Sequence, residues 1–237
     1  MIVGHQPYEL KFIEEWRFTI GLFDKFKNDK KENKIINASG WDAIDEEAKR
    51  IYPGQDNPKH YEPLIKWCFG GSDPLDGISV YDGGDYWHFV TYGLSELYDK
   101  ESDDKEWSGY GMEFTFKIKK DSYADEEYEI KCICGLLQQI ARLTFESGEI
   151  FNPFEYLYTG QTAGIDSRQV SNITGFITIP DTKFQTLNTK NGRVDFVEFI
   201  GATNNELLAL KNKELDVKTL YSKIGSDVTN YNRKSVV

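Results

Sequence analysis

The three histidines, His5, His60 and His88, lie far apart in the sequence. None has a second histidine or a cysteine at a spacing that completes a metal site. Cys132 and Cys134 are separated by one residue. On a helix two such side chains diverge by about 200°, so they cannot readily share one ion. The sequence contains no Gly-x-Ser-x-Gly nucleophile elbow and no phosphate loop ending in Gly-Lys-Ser/Thr. Gly109-Tyr110-Gly111 lacks the third glycine of a dinucleotide fingerprint. Carboxylates abound, but their number makes no single pair stand out as a general acid and base. His88 beside Trp87 reads as a satisfied strand histidine rather than a base. The expectation is a chain that is not an enzyme, with no catalytic residue, metal or cofactor.

The distinctive chemistry is aromatic and acidic. Asp82 to Glu129 carries 14 acidic and 5 basic side chains, a net of -9, out of -11 for the whole chain. Its densest part runs from Asp99 to Glu106. Tyr98, Asp99, Glu101, Asp103, Asp104, Glu106, Trp107 and Tyr110 are the candidate contact residues for a partner. Rings supply buried area at an interface, and carboxylates supply orientation and encounter rate. Trp67, Trp87, Tyr92, Tyr98, Trp107 and Tyr110 fall among the acidic residues of 65–111, which reads as an aromatic cluster inside an acidic rim.

Several elements must position this stretch. Phe12/Ile13, Trp16, Ile20 and Phe23 recur at helical spacing over 8–26, and a lysine-rich linker follows. Residues 1–38 therefore read as an N-terminal helix and linker, and 39–237 as the main domain. A helix is expected over 41–51, closed by Pro53-Gly54. Strands are expected over 64–69, 78–81, 87–92 and 113–119, the last with one buried side. Asp82-Gly83-Gly84-Asp85 reads as a hairpin turn. The stripe from Ile130 to Phe145 predicts a helix over 125–147, stopped by Gly148. A loop-rich region follows, then strands over 173–179 and 194–200 and helices over 204–211 and 217–224. Without strict βα alternation, the fold class is α/β of the α+β kind, a mixed central sheet packed by helices.

With 237 residues, 39% hydrophobic and 14% aromatic, the chain can build one substantial core. No run approaches the length of a membrane span. An odd, low cysteine count fits a reducing compartment, and the opening residues lack the pattern of a secretory leader. Cytoplasm is the expected location. The negative charge argues against direct nucleic-acid binding and suits a basic protein partner.

Three stretches are similar to the suppressor-of-fused domain. The first is Gly40-Trp41-Asp42-Ala43-Ile44 with Arg50-Ile51-Tyr52-Pro53 and Gln55-Asp56-Asn57-Pro58. The second is Gly70-Gly71-Ser72-Asp73-Pro74-Leu75-Asp76, with Val80-Tyr81. The third and strongest runs from Trp87-His88-Phe89-Val90-Thr91-Tyr92-Gly93-Leu94-Ser95-Glu96-Leu97-Tyr98 to Ser108-Gly109-Tyr110-Gly111-Met112-Glu113-Phe114-Thr115-Phe116. The resemblance covers residues 40 to 235 and implies binding. In animals such proteins restrain zinc-finger transcription factors of the Hedgehog pathway, clamping an extended peptide between two domains by strand addition. This chain resembles the first of those domains. Tyr98 matches a tyrosine of the family's peptide site. The aspartate used just downstream falls in an insertion that is missing here, with Asp103 and Asp104 the nearest acids. Bacterial single-domain relatives imply an immunity protein that plugs a cognate polymorphic toxin, with a basic toxin domain as partner.

Overall fold

The computed structural model describes residues 37–65, 67, 71–121 and 125–237. The helix expected over 8–26 and nearly all of its linker lie outside these residues. The described elements run in the order α1 (Ser39–Ile51), β1 (Lys59–Tyr61), β2 (Gly77–Asp82), β3 (Tyr86–Tyr92), β4 (Trp107–Lys119), α2 (Glu126–Ser147), β5 (Tyr156–Leu157), β6 (Ile173–Pro180), β7 (Leu187–Thr189), β8 (Gly192–Thr203), α3 (Asn204–Lys211) and α4 (Val217–Ile224). The strands form one sheet in the order β1-β2-β3-β4-β8-β6-β5, and β7 pairs with β8. Only β4 and β8 run parallel among these pairs. The mixed sheet with helices is the fold class expected.

Local signals explain several boundaries. Asp125 caps α2 by accepting the Tyr128 N–H at 2.9 Å, and Gly148 ends the helix in the left-handed region at φ 72°. Thr203 and Glu206 make a reciprocal capping box at the start of α3. Asp216 caps α4, and Gly225 closes it.

Helix α2 lays its stripe on one face of the sheet, where Ile130, Ile133, Leu137 and Ile140 meet Phe89, Phe114, Phe116, Phe176 and Phe199. Each such buried side chain contributes about 1.5–3 kcal/mol. The opposite face carries two separate apolar clusters. One joins α1 to Tyr81, Val90, Tyr92, Phe184 and Phe196. The other joins α3 and α4 to Ile177, Ile179 and Ile200.

Two expectations need correction. The described residues of 64–69 do not form a strand: Leu64 and Ile65 are 57% and 54% exposed. They follow Pro63 and pair with nothing in the sheet, so their apolar character signalled no ladder. Strand β1, just before them, supplies the edge pairing instead. Strand β4 starts at Trp107 rather than Glu113, and from Gly111 to Ile118 it is buried on both sides. On the face that alternation assigned to solvent, the 93–95 turn covers Glu113, and the 181–182 loop and Asp227 cover Thr115 and Lys117.

Candidate partner-binding site

The acidic loop leaves β3 through Gly93 (φ 132°), which brings the backbone against Leu75 and Asp76. It returns as β4 begins at Trp107. Glu96 organises it from within. Glu96 Oε1 accepts the N–H groups of Glu101 at 2.8 Å and Ser102 at 2.6 Å. Its Oε2 accepts the Gly109 N–H at 3.1 Å and Lys100 Nζ at 2.9 Å. Burial would raise this carboxyl, but hydrogen bonds from Ser102, Lys100, Glu101 and Gly109 hold it down at about 2. Asp104 closes the far end, accepting from Glu106 N at 2.8 Å and Trp107 N at 3.0 Å. Those two bonds lower its pKa.

Beneath the loop, Glu113 is fully buried and accepts from Ser95 N, Ser95 Oγ, Gly93 N and Thr91 Oγ1 at 2.7 to 3.0 Å. Burial raises it to about 7, with the Ser95 bonds opposing. The loop is also tied to the start of α1. Gly40 N and Trp41 N donate to Leu97 O, and Asn37 Nδ2 donates to Asp99 Oδ1 at 2.7 Å.

The fold keeps some of the candidate contact residues together and separates others. Asp99, Glu101, Asp103, Asp104 and Glu106 are all exposed along one loop. Tyr98 is half-buried against the α1 cluster. Trp107 is half-buried, with the Arg193 guanidinium over its ring at 4.7 Å. Tyr110 turns to the other side of the sheet and meets Phe145 of α2 edge-on at 5.1 Å. The expected aromatic cluster therefore disperses. Tyr92 is fully buried, Trp87 lies under Lys59 and Lys120, and Trp67 packs on Phe145.

A second group of ionisable residues escaped the sequence reading. On the face shared by the two smaller clusters, His88, Lys117, Asp181 and Glu198 all have side chains at 0% exposure. Lys117 Nζ donates to Glu198 Oε2 at 2.9 Å, Asp227 Oδ2 at 2.8 Å and Thr182 Oγ1 at 2.8 Å. His88 Nε2 lies 3.0 Å from Asp181 Oδ2, and its Nδ1 lies 2.7 Å from the Tyr52 hydroxyl. Burial lowers His88 below its ordinary value, with the Asp181 carboxylate opposing. Burial would raise Asp181, but His88 and Lys117 bring it well below the usual carboxylate range. Burial, then Asp181, pushes Glu198 up, with Lys117 opposing. The only sequence trace is the run of polar residues Glu113, Thr115 and Lys117 at alternate positions of β4. Sealed from solvent, the group holds the sheet to the loops at 181–186 and 226–229 and offers no reaction site. Among the described residues, no group of three or more His, Cys, Asp or Glu is placed to hold a metal ion.

Residues 71–234 match the family described as suppressor of fused protein (SUFU). Suppressor of fused homolog from Homo sapiens and that from Mus musculus are each 30% identical over 183 residues, covering 71% of this chain. The match spans 36% of each relative, about a third of its length. Among solved structures, the crystal structure of the Sufu–Fu complex has a chain that superposes with a TM-score of 0.73 at 26% identity. The superposition covers 84% of this chain and 93% of that one. Drosophila Suppressor of Fused superposes at 0.71 and 26% identity, over 84% of this chain and 52% of its own. A family match from residue 71 to 234 and a shared fold lead to one conclusion: this chain belongs to the suppressor-of-fused family.

Proposed function

We propose that this chain is an immunity protein, which binds a basic toxin domain and neutralises it by occluding its working face. One observation carries the reading: five carboxylates, from Asp99 to Glu106, stand exposed on a loop whose backbone is fixed at both ends. A fixed negative surface steers a basic partner and orients it on arrival. A toxin that holds nucleic acid must itself be basic, so the same surface would compete with phosphate for it. The family, and a structural neighbour solved as the Sufu–Fu complex, support protein binding. The expected cytoplasmic location belongs to this proposal. No helix among the described residues is long and apolar enough to cross a membrane.

The alternative reading is an adaptor that captures a linear peptide by strand addition. The sheet edges favour it less. Edge strands β1 and β5 have three and two residues, and Pro58 and Pro63 bracket β1. Short edges flanked by proline give an incoming strand few donors and acceptors to pair with.

The deciding experiment is co-expression with toxin-like reading frames adjacent to the gene, scored by growth and by co-purification. Rescue of growth by the chain supports neutralisation. Equal capture of a short peptide and of the intact partner would favour the adaptor.

A further inference from the structure

A run of five exposed carboxylates repels itself and would spread if left alone. Here it curls around a cation of its own. Lys100, with its side chain 26% exposed, turns inward, and its Nζ donates to Glu96 Oε2 at 2.9 Å and Ser102 Oγ at 3.0 Å. It also reaches Trp107 O at 2.9 Å and Asn191 O at 2.7 Å. Those partners span the start, middle and end of the loop and the turn between β7 and β8. Asn191, 4% exposed, answers from the turn, its Nδ2 donating to Glu96 O at 2.8 Å and Tyr98 O at 2.7 Å. The backbones touch at this point. A Cβ on Gly192 (φ 119°) would lie 2.6 Å from the Trp107 carbonyl carbon, and Arg193 N donates to Glu106 O at 2.8 Å.

We infer that Lys100 and Asn191 are positioning residues, which lock the acidic loop onto the β7–β8 turn before a partner arrives; this rests on the loop being the contact surface. The lock has a binding consequence. A loop ordered in advance has less conformational entropy left to lose on association. It also makes a prediction opposite to that of net charge. Replacing Lys100 by methionine makes the loop more negative. If only the field mattered, a basic protein would bind more tightly; if the loop must be held, it binds more weakly.

The test uses Lys100→Met and, as a variant that leaves the charge unaltered, Asn191→Ala. Amide exchange of the free chain is read residue by residue, and cytochrome c in low salt serves as a folded basic probe. Both variants are expected to accelerate exchange at Glu101, Ser102 and Gly109 by about tenfold while α2 keeps its protection. Cytochrome c affinity should fall by about threefold. Unaltered loop exchange, exchange raised throughout the chain, or tighter cytochrome c binding by Lys100→Met overturns the inference. Glu101→Lys, Asp103→Lys and Glu106→Lys combined form the separate control. If they leave cytochrome c binding unaltered, it is the contact reading that falls, and the inference with it.

Discussion

Lys117 Nζ lies 2.9 Å from Glu198 Oε2, with both side chains at 0% exposure, where the α1 cluster and the α3/α4 cluster adjoin on the same face of the sheet. Burial would lower this lysine, but Glu198 and Asp181 raise it, and it stays charged. It is the counter-charge for Asp181, which is buried, and for Asp227, whose side chain is 24% exposed.

Lys117→Met should therefore destabilise the fold by about 3–5 kcal/mol, because buried carboxylates lose their counter-charge. Glu198→Gln should cost less, since burial already penalises the Glu198 charge and the isosteric amide keeps an oxygen for Lys117 to donate to. Urea unfolding of the two variants at neutral pH checks the contrast. Equal losses would mean that the Glu198 charge matters to the fold as much as that of Lys117.

Glu113 gives a pH dependence of definite sign. Its folded pKa, about 7, lies above the ordinary 4.5. The stability that this proton contributes is fully present below pH 4.5 and is lost as pH rises through 7. The loss is roughly 2–3 kcal/mol between those limits. Comparing wild type with Glu113→Gln from pH 5 to 8 isolates it, because the variant lacks the titration. A constant gap between the two curves would remove Glu113 as the source.

The contact reading predicts kinetics. Reversing Glu101, Asp103 and Glu106 to lysine should slow association with a basic partner by about tenfold in low salt, and by less as salt screens the field. Asp104 is left intact because it caps the Glu106 and Trp107 amides. Stopped-flow rates at two ionic strengths measure the effect.

Close backbone approach predicts a steric loss at Gly40. A Cβ there would stand 2.2 Å from Glu96 O and 2.9 Å from Leu97 Cα. Gly40→Ala should push α1 off the loop and cost about 2 kcal/mol or more. Thermal unfolding, together with exchange at Gly40 and Trp41, reads both effects.

The elements most legible in the sequence are those whose cause is local. The stripe of α2, its Asp125 cap and its Gly148 stop all lie within one stretch, and α3 and α4 run over the residues expected of them. The hairpin at Gly83-Gly84 was equally plain. Strand β1 was missed because three residues carry no periodicity. The segment at 64–65 misled because an apolar run records hydrophobicity and not where that surface goes.

The candidate site divides in the same way. Local sequence determined that Asp99 to Glu106 is acidic and set among aromatic residues. That Tyr98 and Tyr110 face opposite sides of the sheet is a result of chain path, and so is the turn at Asn191 that locks the loop from 91 residues away. Lys117 meets Glu198 and Asp227 across 81 and 110 residues. A charged residue in a strand reads as a solvent position until the layers that cover it are known. Charge and propensity are properties of neighbouring residues, and a sequence displays them; burial and pairing arise only when distant segments close on one another, so tertiary structure alone decided which charges this protein shows and which it hides.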